Sequence, residues 1–192
     1  MKKLSLLLAL FGIWNYSLGQ SSYFPLKKGT TMTYAYGKEL YQGQNVDISQ
    51  LRMTVKILEE TKVINGNEYF ISETSAGTPM PATKAFLRVN DQGAIVGIED
   101  GATEESVMIK QPLEVGDSWT TSKGGMTSTS EVVALNGSIE TPAETFTNCL
   151  VVASSENGTQ TKAYFKEDVG MVAIQVVMGG SEKLFVYLID RT

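Results

Sequence analysis

Leu51-Arg52-Met53-Thr54-Val55-Lys56-Ile57 alternates apolar and polar residues without a break. Successive side chains of an extended chain point to opposite faces. The run therefore puts Leu51, Met53, Val55 and Ile57 on one side of a strand and Arg52, Thr54 and Lys56 on the other, as a half-buried sheet requires. The same period predicts strands at Thr31 to Tyr36, Glu68 to Glu73, Ala85 to Asn90, Ala94 to Glu99, Ser106 to Gln111, Ser118 to Ser122, Thr127 to Leu135, Cys149 to Ser155, Thr161 to Lys166, Met171 to Met178 and Lys183 to Ile189. Asn65-Gly66, Asn136-Gly137 and Asn157-Gly158 separate apolar runs and suit the positive φ angles of tight hairpins, and Gly179-Gly180 and Asn90-Asp91-Gln92-Gly93 fit the same role. Parallel strands need long, usually helical crossovers, and no convincing amphipathic helix follows residue 19. Short helical turns are expected at Asp47 to Gln50 and Gly101 to Glu105.

Two stretches are apolar on both faces: Met171-Val172-Ala173-Ile174-Gln175-Val176-Val177-Met178 and Leu184-Phe185-Val186-Tyr187-Leu188-Ile189. A flat one-sided sheet would leave one of those faces in water. The expected fold is therefore all-β and antiparallel, with about 12 strands in a curved sheet or barrel-like roll, and a β-sandwich as the alternative. Several strands are too short for an outer-membrane barrel, which needs roughly 9–11 residues per crossing.

The chain also repeats itself. Pro25-Leu26-Lys27-Lys28-Gly29-Thr30-Thr31-Met32-Thr33 is echoed by Pro112-Leu113-Glu114-Val115-Gly116-Asp117-Ser118-Trp119-Thr120, and Thr83-Lys84-Ala85-Phe86-Leu87-Arg88 by Thr161-Lys162-Ala163-Tyr164-Phe165-Lys166, in the same order. Two related halves, about 23–100 and 110–189, are expected within one β domain spanning 20–192. Residues 1–19 read as a signal peptide: Lys2 and Lys3, the apolar run Leu4 to Ile13, then Ser17-Leu18-Gly19 as the cleavage site. The apolar run is too short to span a bilayer, which takes roughly 20 residues. Gln20 stands where a lipoprotein would carry its cysteine. A periplasmic or secreted protein is expected, with no membrane span after cleavage.

Composition narrows the chemistry. With no histidine, the chain lacks Ser-His-Asp and Cys-His catalysis and the commonest zinc ligand. No EF-hand spacing, P-loop or dinucleotide fingerprint occurs, so no metal and no cofactor is expected. A formal net charge of −5 without a basic run argues against nucleic acid. Cys149 is the single cysteine, read as a small buried hydrophobe because no Lys, Arg or His neighbours it in sequence. Asp117, Asp168, Glu114 and Glu167 lie beside the repeated blocks and could converge as an acid/base pair, but carboxylates in turns mostly serve solubility. Lys84 and Lys162 fall on solvent-facing positions. No catalytic residue is nominated, and the protein is read as non-enzymatic.

The candidate ligand contacts are Met32, Tyr34, Met53, Trp119 and Met171. They comprise the large side chains closing the repeated block and the adaptable thioethers that could line an apolar pocket. The competing reading is a Gly-dependent turn followed by a core plug.

Tyr23-Phe24-Pro25-Leu26-Lys27-Lys28-Gly29 with Thr33-Tyr34, Leu113-Glu114-Val115-Gly116-Asp117-Ser118-Trp119, Thr141-Pro142-Ala143-Glu144-Thr145-Phe146-Thr147-Asn148-Cys149, and Tyr164-Phe165 followed by Val169-Gly170-Met171-Val172 together cover most of the chain. In these the chain resembles an uncharacterised family of secreted bacterial β-proteins, a domain of unknown function in the lipoprotein-carrier-like and lipocalin-like neighbourhood. The resemblance implies an envelope location and a β fold and assigns no reaction. The leading expectation is a protein holding an apolar ligand, such as a lipid or acyl chain, in a β-lined groove. The second is an interaction module for envelope proteins or glycans, and a carboxylate-dependent hydrolase is third.

Overall fold

The computed structural model describes residues 23–42, 47–77, 81–99, 102, 104–123 and 126–192, so the leader expected at 1–19 lies outside the described residues. Twelve strands follow one another: β1 (Thr31–Tyr36), β2 (Arg52–Ile64), β3 (Asn67–Ser75), β4 (Thr83–Val89), β5 (Ile95–Glu99), β6 (Ser106–Ile109), β7 (Ser118–Lys123), β8 (Met126–Glu140), β9 (Thr145–Glu156), β10 (Thr159–Lys166), β11 (Gly170–Met178) and β12 (Ser181–Arg191). All belong to one antiparallel sheet, in the order β6-β5-β4-β3-β2-β1-β12-β11-β10-β9-β8-β7. Each half is a meander, and the halves join where β1 pairs with β12. One sheet rules out the two-layered sandwich.

The order also explains the curvature. The edge strands, β6 and β7, are consecutive in the chain and joined only by residues 110–117. So short a link holds the two edges together, and the Lys110 Nζ to Asp117 Oδ1 ion pair, at 2.9 Å, clips them at its ends. The sheet must roll into a nearly closed barrel. Inside, Leu26, Ile57, Leu87, Ile95, Ile109, Val132, Leu150, Val152 and Phe165 form a core drawn from both halves. A second core gathers Met32, Tyr34, Cys149, Val151, Tyr164, Val172, Ala173, Val186 and Leu188. Neighbours along β9 and β10 thus serve different cores: Leu150, Val152 and Phe165 one, Cys149, Val151 and Tyr164 the other.

The doubly apolar C-terminal strands are covered only in their middles. Val172, Ala173 and Val186 are fully buried, whereas Met178 and Ile189 remain 52% and 39% exposed. Unbroken two-sided burial falls instead on Ile95 to Ile98 of β5 and Cys149 to Val152 of β9.

The two repeated glycine blocks form the same turn. Gly29 and Gly116 both take positive φ, 78° and 93°. Gly29 N–H donates to Ile57 O at 2.9 Å and Ile57 N–H to Thr30 O at 2.9 Å; Gly116 N–H donates to Val132 O at 2.8 Å and Val132 N–H to Asp117 O at 2.8 Å. Ile57 and Val132 both sit in the shared core.

Asn65-Gly66, Asn157-Gly158 and Gly179-Gly180 make positive-φ turns as expected. Asn136-Gly137 does not. It lies within β8 at a register shift, where Gly137 faces Cys149, and a Cβ on Gly137 would come within 2.3 Å of Val151 Cγ2. The hairpin turn comes later, where the Thr141 hydroxyl donates to Glu144 O at 2.8 Å. A 3-10 turn forms at Lys38–Tyr41, whereas residues 47–50 carry only turns and the expected turn at 101–105 falls partly outside the described residues.

Candidate functional site

Four of the five nominated ligand contacts converge, and they converge as packing. Met32 and Tyr34 on β1 are 6% and 1% exposed in the second core. Met53 on β2 and Met171 on β11 pack half-buried against it. The Tyr34 hydroxyl donates to the Met171 carbonyl at 2.9 Å, with Met32 Sδ at 3.5 Å. Burial pushes the phenol well above its ordinary pKa, so it stays a neutral donor. Trp119, on β7, lies apart and packs half-buried against the core that both halves share.

A groove of about 350 Å³ opens among Ser128, Ser154, Glu156, Asn157, Thr159 and Thr161. Register shows which face it occupies. Val132 pairs with Val152, and Val152 with Ala163. Two residues along the same strands, Ser130 pairs with Ser154 and Ser154 with Thr161; two further, Ser128 pairs with Glu156 and Glu156 with Thr159. Side chains two apart on a strand share a face, so the hydroxyl rows continue the core-facing rows. The groove is where the interior of the roll turns polar. Trp119 pairs with Ser130, and the Ser130 and Ser154 hydroxyls are 2.9 Å apart, so the indole stands on the same face beside the hydroxyl row.

The first half provides a comparison within the same chain. Its row Met32–Val55–Thr74–Thr83 has the pairing of Trp119–Ser130–Ser154–Thr161, and its pair Tyr34–Met53 that of Thr121–Ser128. In the first half β12 covers the far side of β1 and Met32, at the head of the row, is buried, although Thr83 at its other end is exposed. In the second, β7 is the last strand of the sheet, and serines replace Val55 and Met53. Sequence reasoning missed this site because Ser and Thr are ordinary surface residues. A usable signal was present nonetheless: from Gly124 to Thr161 the chain carries Glu131, Glu140, Glu144 and Glu156 but no Lys or Arg.

The remaining candidates occupy structural positions. Asp117 Oδ1 accepts from Lys110 and its Oδ2 from the Glu114 N–H, bonds that hold the carboxyl below its usual range. Asp168, at positive φ, offers its carbonyl to Arg191. Lys84 pairs with Glu73 at 3.8 Å, and Lys162 pairs with Glu182 at 2.5 Å, a hydrogen bond that raises the Lys162 pKa. Burial pushes the Cys149 thiol up, although Lys166, its cross-strand partner and a neighbour that sequence spacing did not reveal, works in the opposite direction. On the outer face of the first half, Tyr69, Phe86 and Ile98 form a third cluster. Lys62 lies over the Phe86 ring at 4.2 Å, and Glu105 accepts from both Tyr69 and Arg88 at 2.6 Å.

No protein-family model matches the chain, and no curated protein matches it. Two crystal structures share the fold. A protein from Bacteroides fragilis NCTC 9343, described as exported and YmcC-like in fold, aligns with a TM-score of 0.53 at 12% identity over 88% of this chain and 98% of its own. A protein from Parabacteroides distasonis ATCC 8503, described as a lipoprotein, aligns with a TM-score of 0.52 at 14% identity over the same shares. Such low identity shows the all-β fold alone. Among the described residues no helix is long and apolar enough to cross a membrane.

Proposed function

We propose that this is a non-catalytic, exported binding protein of the bacterial envelope, and that its polar groove takes a hydroxyl-rich ligand, a saccharide. The observation that carries the reading is the core-facing row Trp119–Ser130–Ser154–Thr161, an aromatic face continued by three hydroxyls into a groove of about 350 Å³. Serine and threonine hydroxyls both donate and accept, as sugar hydroxyls do, and a tryptophan offers a flat apolar face to a sugar ring. The leader at 1–19 and the two fold neighbours, one described as exported and one as a lipoprotein, support the compartment. The matching registers of the two halves support a duplication in which the head of the row is buried in the first copy, at Met32, and half-buried in the second, at Trp119.

A lipid or acyl chain bound among Met32, Tyr34, Met53 and Met171 is the less favoured reading, because Met32 and Tyr34 are buried against each other and the Tyr34 hydroxyl is committed to Met171.

Trp14 leaves with the leader, so Trp119 becomes the single tryptophan of the exported form and reports on its own site. Titration with neutral hexasaccharides of glucose and N-acetylglucosamine should give a saturable change in Trp119 emission, and Trp119→Phe should weaken the same binding followed by calorimetry. Unchanged emission and no heat of binding at millimolar sugar, together with a co-purifying lipid, would favour the apolar reading instead.

A further inference from the structure

We infer that the groove selects saccharides bearing a free amine, and that Glu156 is the residue that reads it; this rests on the saccharide reading above. Glu156 is the one charged side chain among the six that line the groove. Its cross-strand neighbours are Ser128 and Thr159, so register puts a hydroxyl on each side of the carboxylate and on the same face. Asn157, held at φ 49° by the turn that joins β9 to β10, adds an amide that can donate and accept.

The surroundings make this carboxylate available. Among the described residues, the carboxylates of Glu73, Glu105, Asp117 and Glu182 are engaged in ion pairs. Among the described residues the Glu156 carboxylate has no such partner and accepts no side-chain hydrogen bond. The stretch from Gly124 to Thr161, which supplies all six lining residues, contains no Lys or Arg. Lys183 on β12, opposite Val176, is a basic residue that shares the groove's face by register. It stands three strands from Glu156, roughly 14 Å away at about 4.8 Å per strand. At that distance salt screens an exposed charge strongly. An ammonium entering the groove would meet one unpaired carboxylate flanked by acceptor oxygens, the three-donor geometry that an –NH₃⁺ group can satisfy. A uronate or sugar phosphate would be repelled by the same group.

The discriminating experiment uses three oligosaccharides of matched length on the exported protein at low salt and pH 6: β-1,4-linked glucosamine, its N-acetylated counterpart and α-1,4-linked galacturonate. Binding is followed by Trp119 emission and calorimetry. The glucosamine oligomer should bind tightest and the galacturonate oligomer weakest. Glu156→Gln should weaken the glucosamine oligomer about fivefold, an effect typical of one exposed ion pair, and leave the acetylated oligomer within about twofold. Raising salt should erase the preference in the native protein. Equal losses for the amine and acetylated oligomers in Glu156→Gln, or tighter binding of galacturonate, would overturn the amine inference while leaving the saccharide groove standing. Absence of binding by all three would overturn the groove reading itself.

Discussion

The Tyr34 hydroxyl, on β1, donates to the Met171 carbonyl, on β11, at 2.9 Å, and the bond passes over the intervening strand β12. Both neighbouring ladders are irregular here: the register shifts between Thr33 and Tyr34 against β12, and between Tyr164 and Phe165 against β11. A bulge twists a strand and interrupts the regular exchange of backbone hydrogen bonds. The phenol supplies a donor to the backbone at that place and ties the seam between the two halves to the strand beyond it.

Tyr34→Phe keeps the ring in the core and deletes only the donor. A buried carbonyl left without its partner costs about 1–3 kcal/mol. We expect the unfolding free energy to fall by that amount, read as a lower urea midpoint at constant m-value, with no change in saccharide binding. An unchanged midpoint would mean that water or a local shift satisfies the carbonyl.

Close approach sets Gly37. A Cβ on Gly37 would lie 1.8 Å from the Leu184 carbonyl oxygen, a backbone atom that cannot swing aside, and the Gly37 N–H donates to Phe185 O at 2.8 Å. Gly37→Ala should therefore force β1 and β12 apart and cost roughly 3 kcal/mol or more, in the range of severe overpacking. Gly66 is the control. Its added Cβ would meet nothing within 4 Å, and only its positive φ of 81° opposes the change, so Gly66→Ala should cost about 1 kcal/mol. Thermal unfolding of the two variants compares them directly.

Acid should loosen the outer face of the first half before the barrel unfolds. Burial works to raise the Glu105 pKa, but the hydrogen bonds from Arg88 and Tyr69 outweigh it and hold the carboxyl below its ordinary value of 4.5. A carboxylate whose pKa is depressed on folding stabilises the fold above its unfolded pKa, and the contribution disappears as pH falls through the folded value. Because the group is partly exposed, solvent screening keeps this to under about 1 kcal/mol. Glu105→Gln should lower Tm slightly at pH 7, and the gap from the native protein should close below about pH 4. A gap independent of pH would assign the loss to packing rather than charge.

Much of this architecture is readable in the chain because it rests on local chemistry. The alternation in Leu51 to Ile57 is β2, and Asn65-Gly66 and Asn157-Gly158 turn where positive φ is needed. Asn136-Gly137 misleads because the same dipeptide suits a bulge, and what chose the bulge was the Val151 side chain, distant in sequence and close in space. Met32 and Trp119, which close the two repeated blocks, occupy the first strand of their half in the same register. Which of the two reaches solvent depends on strand order, and composition carries no record that β12 would cover β1 while β7 was left at the edge. The methionines therefore look like a site and are core, and the serines look like surface and line the groove.

That difference between the halves can be tested by undoing it. Ser130→Val gives the second row the residue that the first row carries at Val55. Ser130 is 8% exposed and its hydroxyl meets that of Ser154 at 2.9 Å, so the change removes one hydrogen bond and buries two methyl groups in its place. The lost bond costs about 1 kcal/mol, and the added apolar burial returns about as much. Stability should therefore stay within about 1 kcal/mol of the native protein. If the row has remained polar for packing, nothing else should change. If it has remained polar to hold a ligand, the Ser154 hydroxyl loses the neighbour that orients it, and saccharide affinity should fall by about threefold to tenfold, the worth of one hydrogen bond. A variant as stable as the native protein but deficient in binding separates the two explanations, because a purely structural serine cannot produce that combination.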